Sequence, residues 1–599
     1  MASNKLPKRE EIDSKYKWKL EDMYASNENW EEDYKKVKAL SGDLEKYKGQ
    51  LSKGADKLLG CLKLTDDLMS SMDILFMYAR MRRDEDNSNS TYQALTERAT
   101  ALSTEISAAV SFMIPELISI SEQTLRGYLD SNPELQIYRQ FINEALRQKA
   151  HILSEREEEL LALSSEISHA AQDAFSMFNN ADIKFPFIKD EDGEEIEVTK
   201  GRYVKFLESK DRSVREDAFH AIYSSYNKMK NTLASTLTSN VKNNKFYATV
   251  RKYDSSLEAS LDSDNITTEV YDNLIETVHN NLPLLHRYLK LRKKALNLDA
   301  LHMYDLYVPI VEQPKRHILY EDALRMVETG LEPLGEEYLG HLKNSFNSRW
   351  IDVFENEGKT SGAYSWGAYK AHPFVLLNYQ GTINDVFTLA HEMGHALHSF
   401  YTNKVQPYIN SEYKIFVAEV ASTVNENLLM RYLLSKSTDK SEKAYLLNHF
   451  LEEFRGTVFR QTMFAEFEKT IHARIEHGDS LTTQDLCKIY RDLNLTYFGS
   501  EVIIDEDIDM EWSRIPHFYN SFYVYKYATG FSSASAISQA ILSEGKPTVD
   551  RYVNFLSSGG SDYPLELLKK VGVDLSTPKP VQNALNVFEQ TLSELETLI

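Results

Sequence analysis

Cysteine is almost absent: 599 residues carry only Cys61 and Cys487. Two thiols so far apart in sequence make no disulfide framework, so the fold must be held by burial, and the usage fits a reducing compartment. Long uncharged apolar runs are missing too, so no membrane-spanning segment is expected. The opening MASNKLPKREEIDSKYKWKL has no apolar h-region, so no secretory signal is expected either. Positive charge is short: 68 Lys and Arg stand against 90 Asp and Glu, a net charge of −22. Such a surface repels phosphate backbones, which argues against a nucleic-acid partner, and it reads first as a solubility device. No repeat, low-complexity tract or Pro/Gly/Ser-rich linker marks a domain boundary. These absences point to a cytoplasmic protein with neither nucleic acid nor membrane as partner.

What is present is apolar material for a large core, 42% of residues, with 35 Tyr and 27 Phe. Residues 1 to about 180 read as successive helices. In LLALSSEISHAAQDAFSMFNN, from Leu160, apolar residues recur at helical spacing until Asn179-Asn180. In DIKFPFIKDEDGEEIEVTK two short alternating runs flank Asp192-Gly193, a hairpin signal. Helical patterns resume near Tyr203 and run to about Lys343. WGAYKAHPFVLLNYQGT then alternates like one or two strands, and the rest is helical again to Ile599. The expectation is a mainly α, multi-helix protein with a small β-sheet just ahead of residue 382. A boundary falls at residues 183–200, dividing an N-terminal helical region, 1–200, from a second region, 201–599.

The stretch TLAHEMGHALHSFYTN, Thr388 to Asn403, packs three histidines into eight positions, two of them as H-E-x-x-H. Thr382 with Asp385 three residues on reads as a capping box. Val386, Leu389, Ala390, Met393, Leu397, Phe400 and Tyr401 then form one apolar stripe, and Asn403 is a plausible stop. His391 and His395 fall on the opposite side, one turn apart, where two imidazoles can converge on one ion. Glu392, rotated about 100° from His391, can act as a general base without being a ligand. Gly394 can admit a neighbouring helix closely.

A catalytic zinc site takes three protein ligands and keeps one position for water. One candidate for the third is Glu419, 24 residues after His395 in a second helical stretch, YKIFVAEVASTVNENLLMRYLL. Phe416, Val417 and Val420 around it would draw this carboxylate inward, where it needs a partner; an ordinary ion pair is the alternative. His398 is the competitor, although three side chains from adjacent turns of one straight helix make a poor tetrahedral set. It fits better beside the ligands or on the substrate side. Glu426 can orient a ligand histidine through its other ring nitrogen, or be a solvated helix charge. Downstream, IPHFYNSFYVYKYATGF crowds four tyrosines into nine positions just after His517. These groups are either an aromatic core or donors to a developing oxyanion.

The runs HEMGHALHS, FVAEVASTVNENLL, FRQTMFAEFE and HFYNSFYVYKYATG together resemble the M3 family of zinc metallopeptidases, in its oligoendopeptidase F branch. The likeness is dense from about Val204 to the C-terminus and looser before it. It implies a nearly all-α zincin-type fold enclosing a deep substrate channel. It implies one zinc ion per chain on His391, His395 and Glu419, Glu392 as general base, and endopeptidase action on oligopeptides. It also places His517 near the scissile carbonyl with one or two of Tyr523, Tyr525 and Tyr527. GAYSWGAYKAHP, by the same likeness, can offer an edge strand to a peptide backbone. Two other readings stand beside this one: a metallocarboxypeptidase of similar helical fold, and a peptide-binding protein without turnover.

Overall fold

Helices dominate because apolar residues recur every three or four positions almost throughout the chain. The computed structural model describes residues 5–314 and 316–599. They form two compact units, each assembled from three separate stretches. The first comprises Met1–Ala150, Arg316–Leu433 and Ile537–Val573; the second comprises His151–Lys315, Leu434–Ala536 and Asp574–Ile599.

In the first unit the long helix Ala55–Glu85 packs against Ser90–Val110, burying Leu68, Leu75 and Met77 with Trp30 and Leu102. Among the described residues one segment, Ser90–Ser119, is apolar enough by composition to cross a membrane. It is broken at residues 111–112 into two helices, and its Ile106 and Leu117 belong to the core. The expected small sheet is also here. Strand Phe374–Leu376 lies between Ile351–Asp352, parallel to it, and Tyr364–Trp366, antiparallel. Lys359 fastens this sheet from inside. Its buried ammonium meets Asp352 at 2.8 Å and donates to the carbonyls of Phe354 and Leu377 at 2.7 and 2.6 Å. Arg9 closes the network, reaching Asp352 at 2.7 Å and Glu85 at 2.8 Å. Buried charges are tolerable here because each has partners on several sides.

The second unit contains the expected hairpin. Phe187–Lys189 pairs with Glu195–Glu197, and Asp190 Oδ1 accepts the amides of Asp192 and Glu194 across the turn. Gly193 takes φ +80°, which a side chain would disfavour. The interior of this unit carries three carboxylates, each held between two guanidiniums. Asp305 meets Arg212 and Arg215, both at 2.8 Å. Glu452 meets Arg292 at 3.0 Å and Arg455 at 2.6 Å, and Glu511 meets Arg460 at 2.7 Å and Arg514 at 2.5 Å. The opposed guanidiniums outweigh burial and hold Glu452 and Glu511 down at about 2.

Candidate metal centre

The motif lies on one helix, Ile383–Val405, whose start the sequence encodes locally. Thr382 Oγ1 accepts the Asp385 amide at 3.2 Å, and Asp385 Oδ2 accepts the Thr382 amide at 2.8 Å. The apolar stripe is buried from Val386 to Leu397 and Tyr401, and the helix runs two residues beyond Asn403. Its neighbour is the helix Ile415–Lys436, buried along most of its length.

Gly394 sets how closely these two helices approach. A Cβ there would fall 2.5 Å from Ser422 Cα and 2.7 Å from the Ala421 carbonyl oxygen, both rigid backbone atoms. Asn425 locks the same contact, donating to the Ala390 carbonyl at 3.0 Å while accepting from the Tyr338 hydroxyl at 3.0 Å. Gly394→Ala is therefore expected to destabilise the protein by about 1–3 kcal/mol through overpacking, and to weaken metal binding by separating the helices. A denaturant melt with parallel metal analysis measures both.

That contact brings Glu419 to the histidines. His391 Nε2 and His395 Nε2 are 3.3 Å apart, and Glu419 Oε2 is 3.4 Å from each. Bonds of about 2.0–2.1 Å in a tetrahedral zinc site set neighbouring donors about 3.3–3.5 Å apart. This two-nitrogen, one-oxygen set therefore suits a zinc-sized ion. Outer partners orient the donors: Glu426 Oε1 is 3.2 Å from His391 Nδ1, and Ser422 Oγ donates to Glu419 Oε2 at 2.9 Å. Burial opposes charge on His391, but Glu426 and the nearby carboxylates overcome it and push its pKa up to about 9. Burial likewise works against the Glu419 carboxylate, yet His395 and His391 pull it down to about 2. Glu392 is 7% exposed; its burial raises its pKa, an effect that the two histidines oppose.

His398 is elsewhere. It is 1% exposed, stacked on Tyr413 at 3.7 Å and tilted against Phe555 at 5.6 Å. Burial drops its pKa to about 3, and Nδ1 has no hydrogen-bond partner. Of the two expected places for His398, beside the ligands or on the substrate side, the second does not agree with its burial under these aromatic rings. Ser422 and Asn425 were not anticipated. Their signal was a polar stripe, Glu419, Ser422, Asn425 and Glu426, at helical spacing in an otherwise apolar helix.

His517 and the tyrosines belong to the second unit. Tyr527 Oη and His517 Nε2 are 3.3 Å apart, and the Tyr523 ring lies 6.0 Å from His517 and 5.5 Å from Tyr527. Burial lowers the His517 pKa, favouring neutral imidazole. Tyr525 departs from this group: it is 0% exposed, 5.0 Å from Tyr271, and burial raises its pKa well above 10. Its place is the core.

Residues 205–587 match the family model for peptidase family M3, and residues 116–185 match that for Oligopeptidase F. Oligopeptidase PepF of Bacillus subtilis is 49% identical over 597 residues, covering 100% of this chain and 89% of the relative. Group B oligopeptidase PepB of Streptococcus agalactiae is 42% identical, covering 99% of this chain and 98% of the relative. The crystal structure of oligoendopeptidase-F from Enterococcus faecium superposes with a TM-score of 0.75 at 39% identity, over 96% of this chain and 99% of that one.

Proposed function

The chain belongs to peptidase family M3, and from that premise we propose a zinc-dependent endopeptidase that cuts internal bonds of short peptides. The observation that carries the proposal is the donor triangle of His391, His395 and Glu419, with sides of 3.3–3.4 Å and Glu392 buried beside it. One zinc ion held there supplies Lewis-acid polarisation of the scissile carbonyl and acidifies water. Glu392 takes the proton of the attacking water and returns it to the leaving amine. His517 with Tyr523 and Tyr527 donates to the oxyanion, a role supported by their mutual contact and by the family likeness. Tyr364–Trp366, the edge of its sheet, is the proposed backbone partner for the peptide. Residues 1–200 and 201–599 are the proposed functional regions, supported by family models that break between residues 185 and 205. Size selection by an enclosed channel completes the reading. A cytoplasmic setting is supported by the two free thiols, Cys61 and Cys487.

A mixed-length peptide pool with free and amidated C-termini, digested with and without a chelator, tests this reading. Mass spectrometry should find internal cuts in both sets, abolished by the chelator. Removal of single C-terminal residues from the unblocked peptides alone would instead indicate a carboxypeptidase.

His517→Ala is expected to keep metal and KM while lowering kcat by about 10²–10³, the cost of one oxyanion donor. Steady-state kinetics of Tyr523→Phe and Tyr527→Phe should show a smaller fall of the same kind. Tyr525→Phe should alter the melting temperature and leave kcat alone. A rise in KM without change in kcat for His517→Ala would assign it to uniform substrate binding.

A further inference from the structure

The loop that presents His517 is held by an interior carboxyl that the proposed reaction does not use. Between the 3₁₀ turn Pro516–Tyr519 and the helix Tyr525–Glu544, Phe522 adopts φ +60° and is 1% exposed. A residue with a Cβ keeps left-handed backbone only where its surroundings impose it. Here Glu468, on the helix Arg460–Glu476 and 0% exposed, accepts the Phe522 amide through Oε1 at 3.0 Å. Its other oxygen, Oε2, is buried with no hydrogen-bond partner.

The grip extends to either side. His472, one turn after Glu468, lays its ring 4.5 Å from Phe522 and bonds the Glu468 carbonyl through Nδ1 at 2.8 Å. Its Nε2 meets Asn244 at 3.1 Å, and Asn244 donates to Ser521 Oγ at 2.5 Å. Asn240 donates to the Phe518 carbonyl at 3.3 Å, and Ser260 to the Ser521 carbonyl at 3.2 Å. Side chains from three helices therefore fix the backbone from Phe518 to Phe522, and the turn at Phe522 decides where Tyr523 leaves it.

We infer that Glu468 is a positioning residue: by accepting the Phe522 amide it fixes the left-handed turn that sets His517 and Tyr523 for peptide hydrolysis. The inference rests on the reading that His517 and Tyr523 act on the substrate. Burial pushes the Glu468 carboxyl up to about 8, which favours the neutral acid over an unpaired buried charge beside the Phe522 amide.

Two substitutions of similar volume isolate the acceptor. Glu468→Gln retains an oxygen for the Phe522 amide; Glu468→Met fills the space and accepts nothing. Glu468→Met should lower kcat about 10–100-fold, the scale of a misplacement near 1 Å, with KM within about twofold. Metal content should stay at the wild-type level, and Glu468→Gln should keep most of kcat. The double variant Glu468→Met/His517→Ala should be slower than His517→Ala alone by less than the full Glu468→Met factor, because Glu468 acts partly through His517 and only the share that runs through Tyr523 remains. Wild-type kcat in Glu468→Met, or losses that multiply in the double variant, overturns the inference. If His517→Ala lowers kcat and Glu468→Met does not, only the inference falls. If Glu468→Met lowers kcat and His517→Ala does not, the reading of the loop falls with it. Should Glu468→Met fail to fold, Glu468→Asp withdraws the acceptor by one methylene. A lower kcat at constant KM then supports the inference, and unchanged kcat overturns it.

Discussion

Glu392→Gln is expected to remove turnover while leaving the metal content of the purified protein unchanged. Glutamine has nearly the same shape as glutamate but cannot take a proton from water at working pH. The loss of general-base catalysis is worth about 10²–10⁴ in kcat, or more where the same group also serves as the acid. Metal should stay because Glu392 contributes no atom to the donor triangle, which comprises His391, His395 and Glu419. The 7% exposure of Glu392 suits a base that works in a site shielded from bulk water. Atomic absorption beside peptide kinetics separates the two effects. Near-normal kcat would falsify the assignment.

Glu419→Ala is expected to empty the site, and activity should vanish with the metal. It removes the one donor that comes from the second helix, leaving two imidazoles from a single helical face. Loss of an outer partner costs about 10–100-fold in metal affinity, so Glu426→Ala should fall in that range and Glu419→Ala below it. His398→Ala makes the contrast. It should keep full metal and lose stability, on the order of 2 kcal/mol. That is the low end for a buried truncation, because an unpartnered nitrogen leaves with the ring. Metal content after dialysis, ranked across the three variants, checks the order. Full metal in Glu419→Ala together with an empty site in His398→Ala would reverse the assignment.

How much of this was legible depended on the range of the forces involved. The capping box at Thr382 and Asp385, the apolar stripe and the histidine pair are local, and periodicity alone reveals them. Glu419 was visible because a carboxylate among Phe416, Val417 and Val420 needs a partner. His398 misled because the rings that cover it, Tyr413 and Phe555, both lie outside its helix, so helical spacing could assign a face but not what covers it. Tyr525 was indistinguishable from Tyr523 and Tyr527 for the same reason: Tyr271, which receives it, is remote in sequence. The strands around Phe374 were signalled by alternation, but Lys359 and Arg9 beneath them were not, since charge in sequence reads as surface. A linear reading places one boundary near residue 200, whereas each compact unit is stitched from three stretches by long-range contacts.

The three guanidinium–carboxylate–guanidinium sets give the second unit an uneven tolerance of change. Every carboxylate has a spare cation, so loss of Arg212, Arg455 or Arg514 leaves Asp305, Glu452 or Glu511 still paired. No cation has a spare anion within its set. Neutralising the central acid leaves two like charges facing each other, most costly where both guanidiniums are buried, as Arg292 and Arg455 are around Glu452, and least around Asp305, where Arg212 reaches solvent. Redundancy thus lies entirely with the arginines. Drift along this interior should run through its basic positions, and the three acids are its single points of failure.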